Sequence, residues 1–383
     1  MTLKICVYAI SKNEENFVQR FYEASAEADL VLIADTGSTD CTVDKIESWQ
    51  KISSTPIALH RIHVSPWRFD IARNAALALV PADMDVCVSL DLDEVLQPGW
   101  RQEIERVWEA GKTTRLRYYF DWGLGIKFKY EKIHARHGYK WHHPCHEYPT
   151  PYGIEEVWAN TDMLLVIHKP DPTKSRGQYL PLLKMSIEED PFCPRNAFYY
   201  ARELRYNNML DEAITQCDRY LALPRANWAN ERCYAYRVKG QCYAKKGDVL
   251  RAELALHMAA SEAPGTREPW CELAELMLAH QRWAEAYAFA TRCLSIEQHE
   301  LIYTMDPSVW GGKPYHYAAL GAWYLGLKDE AFRLGSKAVE LEPNDEQMRK
   351  NLEFYSGKPS AEVAPVAPKS MPRAIVDEIE EAA

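Results

Sequence analysis

The chain has 383 residues, with 45 Lys and Arg against 55 Asp and Glu for a formal net charge of −10, and is 47% hydrophobic and 26% charged. At roughly 150 residues per domain this length predicts two or three folded units with sizeable cores, which excludes a staple-dependent mini-protein, a fibrous chain and wholesale disorder. The acidic balance gives no global attraction to nucleic acid or an anionic membrane and leaves such partners only a local basic surface.

Near the amino terminus the apolar run Ile5–Ile10 ends before Lys12, Glu14 and Glu15. It is too short for a signal-peptide core, and no run approaches the about 18 residues that a membrane span needs, so a cytoplasmic protein is expected. The ten cysteines are scattered without a CxxC pair and read as reduced thiols.

From residue 1 to about 175, short β-rich runs alternate with helical patterns: Leu3–Ile10, Phe17–Ala28, Leu30–Ala34, Thr42–Trp49, Ala58–Val64, Ile71–Val80 and Val86–Leu90. Strands separated by amphipathic helices predict a parallel α/β sheet, in which ligands bind beyond the carboxyl ends of the strands. Those positions hold Ser11-Lys-Asn-Glu-Glu15, Asp35-Thr-Gly-Ser-Thr-Asp40 and Asp91-Leu-Asp-Glu94. Asp91 and Asp93 project to the same side if the strand continues, and two carboxylates there suit a hard divalent cation carrying a diphosphate. The Asp35–Asp40 stretch alone reads equally well as an Asx-type turn that caps the next helix, with Gly37 free to take a positive φ.

Residues 115–143 carry seven Lys and Arg, two acidic residues and eight aromatics. Interleaved cations and rings suit sugars, phosphates or unpaired bases, whereas the alternation Ile126-Lys-Phe-Lys-Tyr130 is also ordinary antiparallel strand patterning with its cations in water. In Trp141-His-His-Pro-Cys-His-Glu147 the spacing is too tight for a closed zinc site. His168 ends the apolar run that begins at Leu164, as either a structural histidine or a metal ligand.

From about 194 to 355 the pattern is helical, with Ala213, Ala252, Ala286 and Ala331 each preceded twelve residues earlier by Ala201, Gly240, Ala274 or Ala319. Spacings of 39, 34 and 45 imply insertions near Arg225–Asn230 and Gln298–Lys313. The pattern resembles the tetratricopeptide repeat, a helix–turn–helix unit of about 34 residues that stacks into a solenoid with a concave face. The insertion Tyr303–Tyr315 is expected to dock the solenoid or cover an acceptor. Residues 358–383, rich in Pro, Ala and Val at first, read as a linker or disordered tail.

Taken in order, Ser11–Glu15, Asp35–Thr42, Trp67–Asn74 and Ser89–Glu94 resemble the motifs of family-2 glycosyltransferases of GT-A fold, in the subgroup that appends tetratricopeptide repeats. The resemblance implies a Rossmann-like nucleotide-sugar-binding α/β domain over 1–175, an all-α tetratricopeptide solenoid over 176–357 and a tail over 358–383. It further implies a metal-dependent inverting transfer from a nucleotide-sugar, such as a UDP-sugar, to a hydroxyl of a macromolecular acceptor held by the repeats. By resemblance, Asn13, Glu15 and Asp35 meet the nucleotide, Arg73 lies near the sugar diphosphate with Asp70 in support, and Asp91 touches the ribose or the metal through water. Asp93 and His168 hold Mn²⁺ or Mg²⁺, and Glu147 is the candidate base, with Glu94 and Asp121 as competitors. The alternatives are a non-catalytic repeat scaffold whose first domain binds a nucleotide-sugar, and an acceptor that is a hydroxylated base in DNA.

Overall fold

The computed structural model describes residues 2–171 and 177–357. The tail expected over 358–383 lies outside the described residues. The described residues divide into two compact units, one running to Ser186 and including Leu301–Tyr303, the other comprising Ile187–Glu300 and residues 304–357.

The first unit opens with three β–α repeats: β1 (Ile5–Ser11), α1 (Val18–Ser25), β2 (Leu30–Asp35), α2 (Thr42–Ile52), β3 (Ile57–Arg61) and α3 (Phe69–Leu79). Then come β4 (Val86–Ser89), β5 (Glu94–Leu96), α4 (Trp100–Val107), β6 (Arg115–Gly123), β7 (Ile126–Ala135), β8 (Tyr139–His142), β9 (Tyr148–Pro151) and β10 (Trp158–His168). One eight-stranded sheet runs β3-β2-β1-β4-β7-β6-β10-β5, and β8 and β9 form a separate ribbon. Strands β3, β2, β1 and β4 form an unbroken run of parallel pairs, as expected. The β6–β7 hairpin pairs antiparallel to β4, β10 runs parallel to β6, and β5 closes the far edge antiparallel to β10.

Successive strand residues point to opposite faces, so β1 is apolar from Ile5 to Ile10 because both of its faces are covered. Ile5, Val7 and Ala9 join Val31, Ile33, Val86 and Val88 against Val18, Phe21 and Tyr22 of α1. Cys6 and Tyr8 join Leu32, Ala34 and Cys87 against Ala76 and Leu77 of α3 and the Trp141 ring. Within this unit the ring of Tyr303 meets Phe128 edge-on, with centroids 6.2 Å apart.

Helix α5 (Tyr179–Glu189) leads to four helical hairpins: α6 (Pro194–Tyr206) with α7 (Leu210–Ala222), α8 (Ala229–Lys245) with α9 (Val249–Glu262), α10 (Glu268–Ala279) with α11 (Trp283–Leu294), and α12 (Lys313–Tyr324) with α13 (Lys328–Leu341). A last helix, α14 (Glu346–Tyr355), follows. The four alanine anchors are fully buried. Gly240 answers a close approach, since a Cβ there would sit 2.8 Å from Leu256. The longer insertion holds a 3₁₀ turn, Pro307–Trp310, whose Trp310 ring stacks on His299 at 4.0 Å and lies under the Arg267 guanidinium.

Candidate active site

The parallel register aligns Ser11 with Asp35 and Tyr8 with Ser89, so the turns after β1, β2 and β4 share one edge of the sheet. The first two turns are laced together. Asn13, at φ +57°, accepts from the Thr39 amide at 2.7 Å and gives its own amide to Ser38 Oγ at 2.9 Å. The Glu14 amide donates to Thr42 Oγ1 at 2.7 Å. Glu15 donates its amide to Asp40, and its carboxylate accepts from the Cys41 amide and lies 3.7 Å from Lys45. Asp40 is held below the usual carboxylate range: burial opposes this, but the Thr42 hydroxyl and amide and the Glu15 amide outweigh it.

Asp35, 2% exposed, is fully engaged by this turn. Its Oδ1 accepts the Gly37 and Ser38 amides at 3.0 Å each, and its Oδ2 accepts the Ser11 and Ser38 hydroxyls. Gly37, at φ +104°, supplies the left-handed backbone that brings those amides onto one oxygen. Asp35 therefore shapes the turn, whether or not a ligand also approaches it.

The turn after β4 is built from charges. Arg73, from α3 and 3% exposed, donates Nη2 to Asp91 Oδ1 at 2.5 Å and Nε to Glu147 Oε1, and lies 4.9 Å over the Trp141 ring. Lys132, from β7 and 6% exposed, donates to Asp91 Oδ2 at 3.2 Å and to Glu94 Oε1 at 3.1 Å. Glu94 Oε2 accepts the Asp91 amide at 3.0 Å. Burial opposes the charges of Arg73 and Lys132, yet the carboxylates beside them hold both well above their ordinary pKa values. Burial likewise works against the Asp91 carboxylate, but Arg73 and Lys132 pull it well below the usual range. For Glu94, burial with Asp91 and Asp93 nearby outweighs Lys132 and moves the carboxyl upward.

Two roles implied by resemblance change here. Asp70 does not support Arg73. Its carboxylate, near the start of α3, is gripped at both oxygens by Arg68, at 3.0 and 2.8 Å, two residues earlier in the chain. Arg73 itself is not a free fork for phosphate, because Asp91 and Glu147 already take its Nη2 and Nε.

Asp93 and His168 are brought together by the β5–β10 pairing, which sets His168 opposite Glu94. His168 Nε2 stands 3.5 Å from Asp93 Oδ2, its ring packs on Trp122 with centroids 4.5 Å apart, and its Nδ1 is buried without a hydrogen-bond partner among the described residues. Among the described residues no group of three or more His, Cys, Asp or Glu is placed to hold a metal. One oxygen and one imidazole nitrogen side by side nevertheless form a donor pair of the kind Mn²⁺ accepts.

Glu147 ends the loop between β8 and β9, a tight connection in which His143 and His146 take positive φ. Its Oε2 takes no donor from the described residues. The competing carboxylates are committed elsewhere: Glu94 to Lys132 and the Asp91 amide, and Asp121 to the Gly123 amide of its own hairpin at 2.9 Å.

The basic, aromatic segment is the β6–β7 hairpin. Phe120 packs with Trp122, Phe128 and Tyr130. Lys127 and Lys129 lie over Tyr119, Arg117 pairs with Glu131, Lys129 with Asp162 and Arg115 with Glu156. Most of its cations are thus partnered within the fold. Lys132 is the buried charge of this cluster that sequence reasoning missed, and its signal was phase: it shares the strand parity of Phe128 and Tyr130, where an apolar residue is expected.

Residues 6–155 match the family model described as Glycosyl transferase family 2. The amino-terminal domain is a family-2 glycosyltransferase domain. Its matched span runs from β1 to just past β9 and so includes Arg73, Asp91, Asp93, Lys132 and Glu147 but not His168. No curated protein matches the chain. Solved structures similar to its helical region include MamA, at 18% identity over 43% of this chain and 86% of that one with a TM-score of 0.36. Another is YrrB, described as a TPR protein with an unusual peptide-binding site, at 16% identity over 52% and 91% with a TM-score of 0.37. PilW, a type IV pilus biogenesis factor, matches at 19% over 44% and 71%, also at 0.37. The family-2 domain is followed by an all-α array of helical hairpins, and no helix among the described residues is long and apolar enough to cross a membrane.

Proposed function

We propose that the protein is a metal-dependent, inverting glycosyltransferase that moves a sugar from a nucleotide-sugar, such as a UDP-sugar, to a hydroxyl of a macromolecular acceptor held by the repeats. The observation that carries the reading is the pairing of Asp93 with His168 in a family-2 domain that also presents Glu147 with one oxygen that no described residue engages. Asp93 and His168 would hold Mn²⁺ or Mg²⁺, the remaining positions falling to diphosphate oxygens and water. When bound, the ion offsets the charge that develops on the departing nucleoside diphosphate.

The chain's own residues do the rest. The laced turns of Asn13, Glu15 and Asp35 form the rim against which the nucleoside lies. Glu147, oriented by Arg73, takes the proton of the acceptor hydroxyl as the new bond forms between that oxygen and the sugar's anomeric carbon. The anomeric carbon's bond to the diphosphate oxygen breaks in the same displacement, with inversion, and its electron pair leaves with the diphosphate. Because the hairpin's cations are mostly partnered within the fold, a glycan, lipid or protein acceptor is favoured over DNA.

A panel of nucleotide-sugars with Mn²⁺ or Mg²⁺, read by nucleoside diphosphate release, tests this. Release from one donor, abolished by Asp93→Ala, is the expected result. If no donor is turned over yet calorimetry still shows binding, the acceptor is missing. If no donor binds, the transferase reading fails. Steeply salt-dependent binding to DNA would restore the nucleic-acid acceptor.

A further inference from the structure

We infer that Lys132 is a positioning residue of this site, acting on Glu147 through Asp91 and Arg73. The inference rests on the reading of Glu147 as the base. Lys132 lies in β7, and the pairing of Val88 with Ile133 carries it beside the turn that follows β4. Its ammonium sits between Asp91 Oδ2 and Glu94 Oε1, while the other Asp91 oxygen takes Arg73 Nη2, and Arg73 Nε takes Glu147. Both oxygens of Asp91 are therefore engaged by cations. This leaves Asp93 as the carboxylate of the pair that is turned to His168.

The cluster holds three carboxylates, of Asp91, Glu94 and Glu147, against two cations, and all its side chains but that of Asp91 are nine-tenths or more buried. A buried carboxylate without a partner is strongly disfavoured, so each must claim a cation. With Lys132 in place, Glu94 and one edge of Asp91 are satisfied, and Arg73 is free to keep its Nε on Glu147. Without Lys132, Arg73 alone would face all three carboxylates, and Glu147 would have to compete for it. The face of Trp141 limits how the guanidinium can turn, so a shift at Asp91 passes on to Glu147.

The test uses the full chain and the donor that the panel identifies. Lys132→Met combined with Glu94→Gln removes one cation and one anion, keeps the cluster's net charge and avoids an orphaned Glu94. We expect kcat to fall on the order of 10²-fold, the size of effect that a misplacement of about 1 Å produces, with KM for the nucleotide-sugar nearly unchanged. Lys132→Arg should recover most of the loss. An unchanged kcat, or a raised KM with kcat retained, would overturn the relay, the latter by placing Lys132 on the donor. A second measurement needs no turnover: urea unfolding midpoints of the paired variant, of Glu147→Gln and of their combination. Lys132 and Glu147 do not touch, so non-additive shifts would report coupling through Asp91 and Arg73, and additive shifts would sink the inference. If the wild type binds no nucleotide-sugar, the functional reading fails while the relay is still decided by these midpoints.

Discussion

Asp35, at the end of β2, is ringed by two hydroxyls and two backbone amides, whereas Asp91, just after β4, is held between a guanidinium and an ammonium. Both follow apolar strands of the same sheet and both belong to acidic motifs, yet their partners come from different distances. Three of the four donors to Asp35 lie within three residues of it, and the fourth is on the neighbouring strand. The cations on Asp91 come from α3 and β7, 18 and 41 residues away. A carboxylate satisfied by neutral local donors fixes a turn. One satisfied by remote buried cations ties separate elements into a unit that breaks as a whole.

The most severe way to break this contrast is Arg73→Met, which leaves Asp91 and Glu147 without their shared partner. It should destabilise the protein by about 3–5 kcal/mol, read by chemical unfolding. A loss under about 1 kcal/mol would mean that the clamp is not a unit. Next comes the functional arm: Asp93→Ala or His168→Ala should lower kcat by on the order of 10²-fold or more, about 3 kcal/mol of transition-state stabilisation, while the unfolding midpoint changes little.

A third test concerns the floor under Arg73. Trp141 Nε1 donates to the Tyr8 hydroxyl at 2.8 Å, Tyr8 meets His134 Nε2 at 2.9 Å, and His134 Nδ1 lies 2.8 Å from the Ala135 carbonyl. A neutral imidazole satisfies this chain, and burial lowers the His134 pKa to about 4. The unfolded chain, with a histidine pKa of about 6.5, binds the proton first, so this contribution is present above that pH and is lost as pH falls toward 4. It amounts to on the order of 3 kcal/mol. The drop in stability between those pH values should be smaller in His134→Gln than in the wild type. An identical pH dependence in the two proteins would refute the assignment.

The smallest effect belongs to the other side of the contrast. Asp35→Asn retains an oxygen for the two amides, and the Ser11 and Ser38 hydroxyls can turn to accept from the new amide, so the loss should be about 1 kcal/mol. Little change in KM would keep Asp35 a turn-former, and a large rise in KM would add a donor contact to its role.

The legible parts of the molecule were those written in local pattern. The β–α alternation of the first unit, the alanine anchors of the hairpins and the Asx-type turn at Asp35 all depend on residues a few positions apart, whose periodicity or spacing survives in one dimension. The joining of Asp93 to His168 was reached by resemblance, since no spacing rule links positions 75 apart. The antiparallel half of the sheet was only partly legible, because the β6–β7 alternation fits an antiparallel pair without saying which strand it joins.

The sequence by itself therefore determined the two-part architecture, the turn chemistry after β2 and the residue types available at the strand ends, because each follows from local propensity and periodicity. Only the tertiary structure decided that Asp70 belongs to Arg68, that Arg73 is closed between Asp91 and Glu147, and that Lys132 completes the clamp. The physical reason is burial. Once sheet pairing removes these side chains from water, each charge must take the partner that the register brings within reach, and that register is set by the packing of whole strands rather than by the residues that carry the charge.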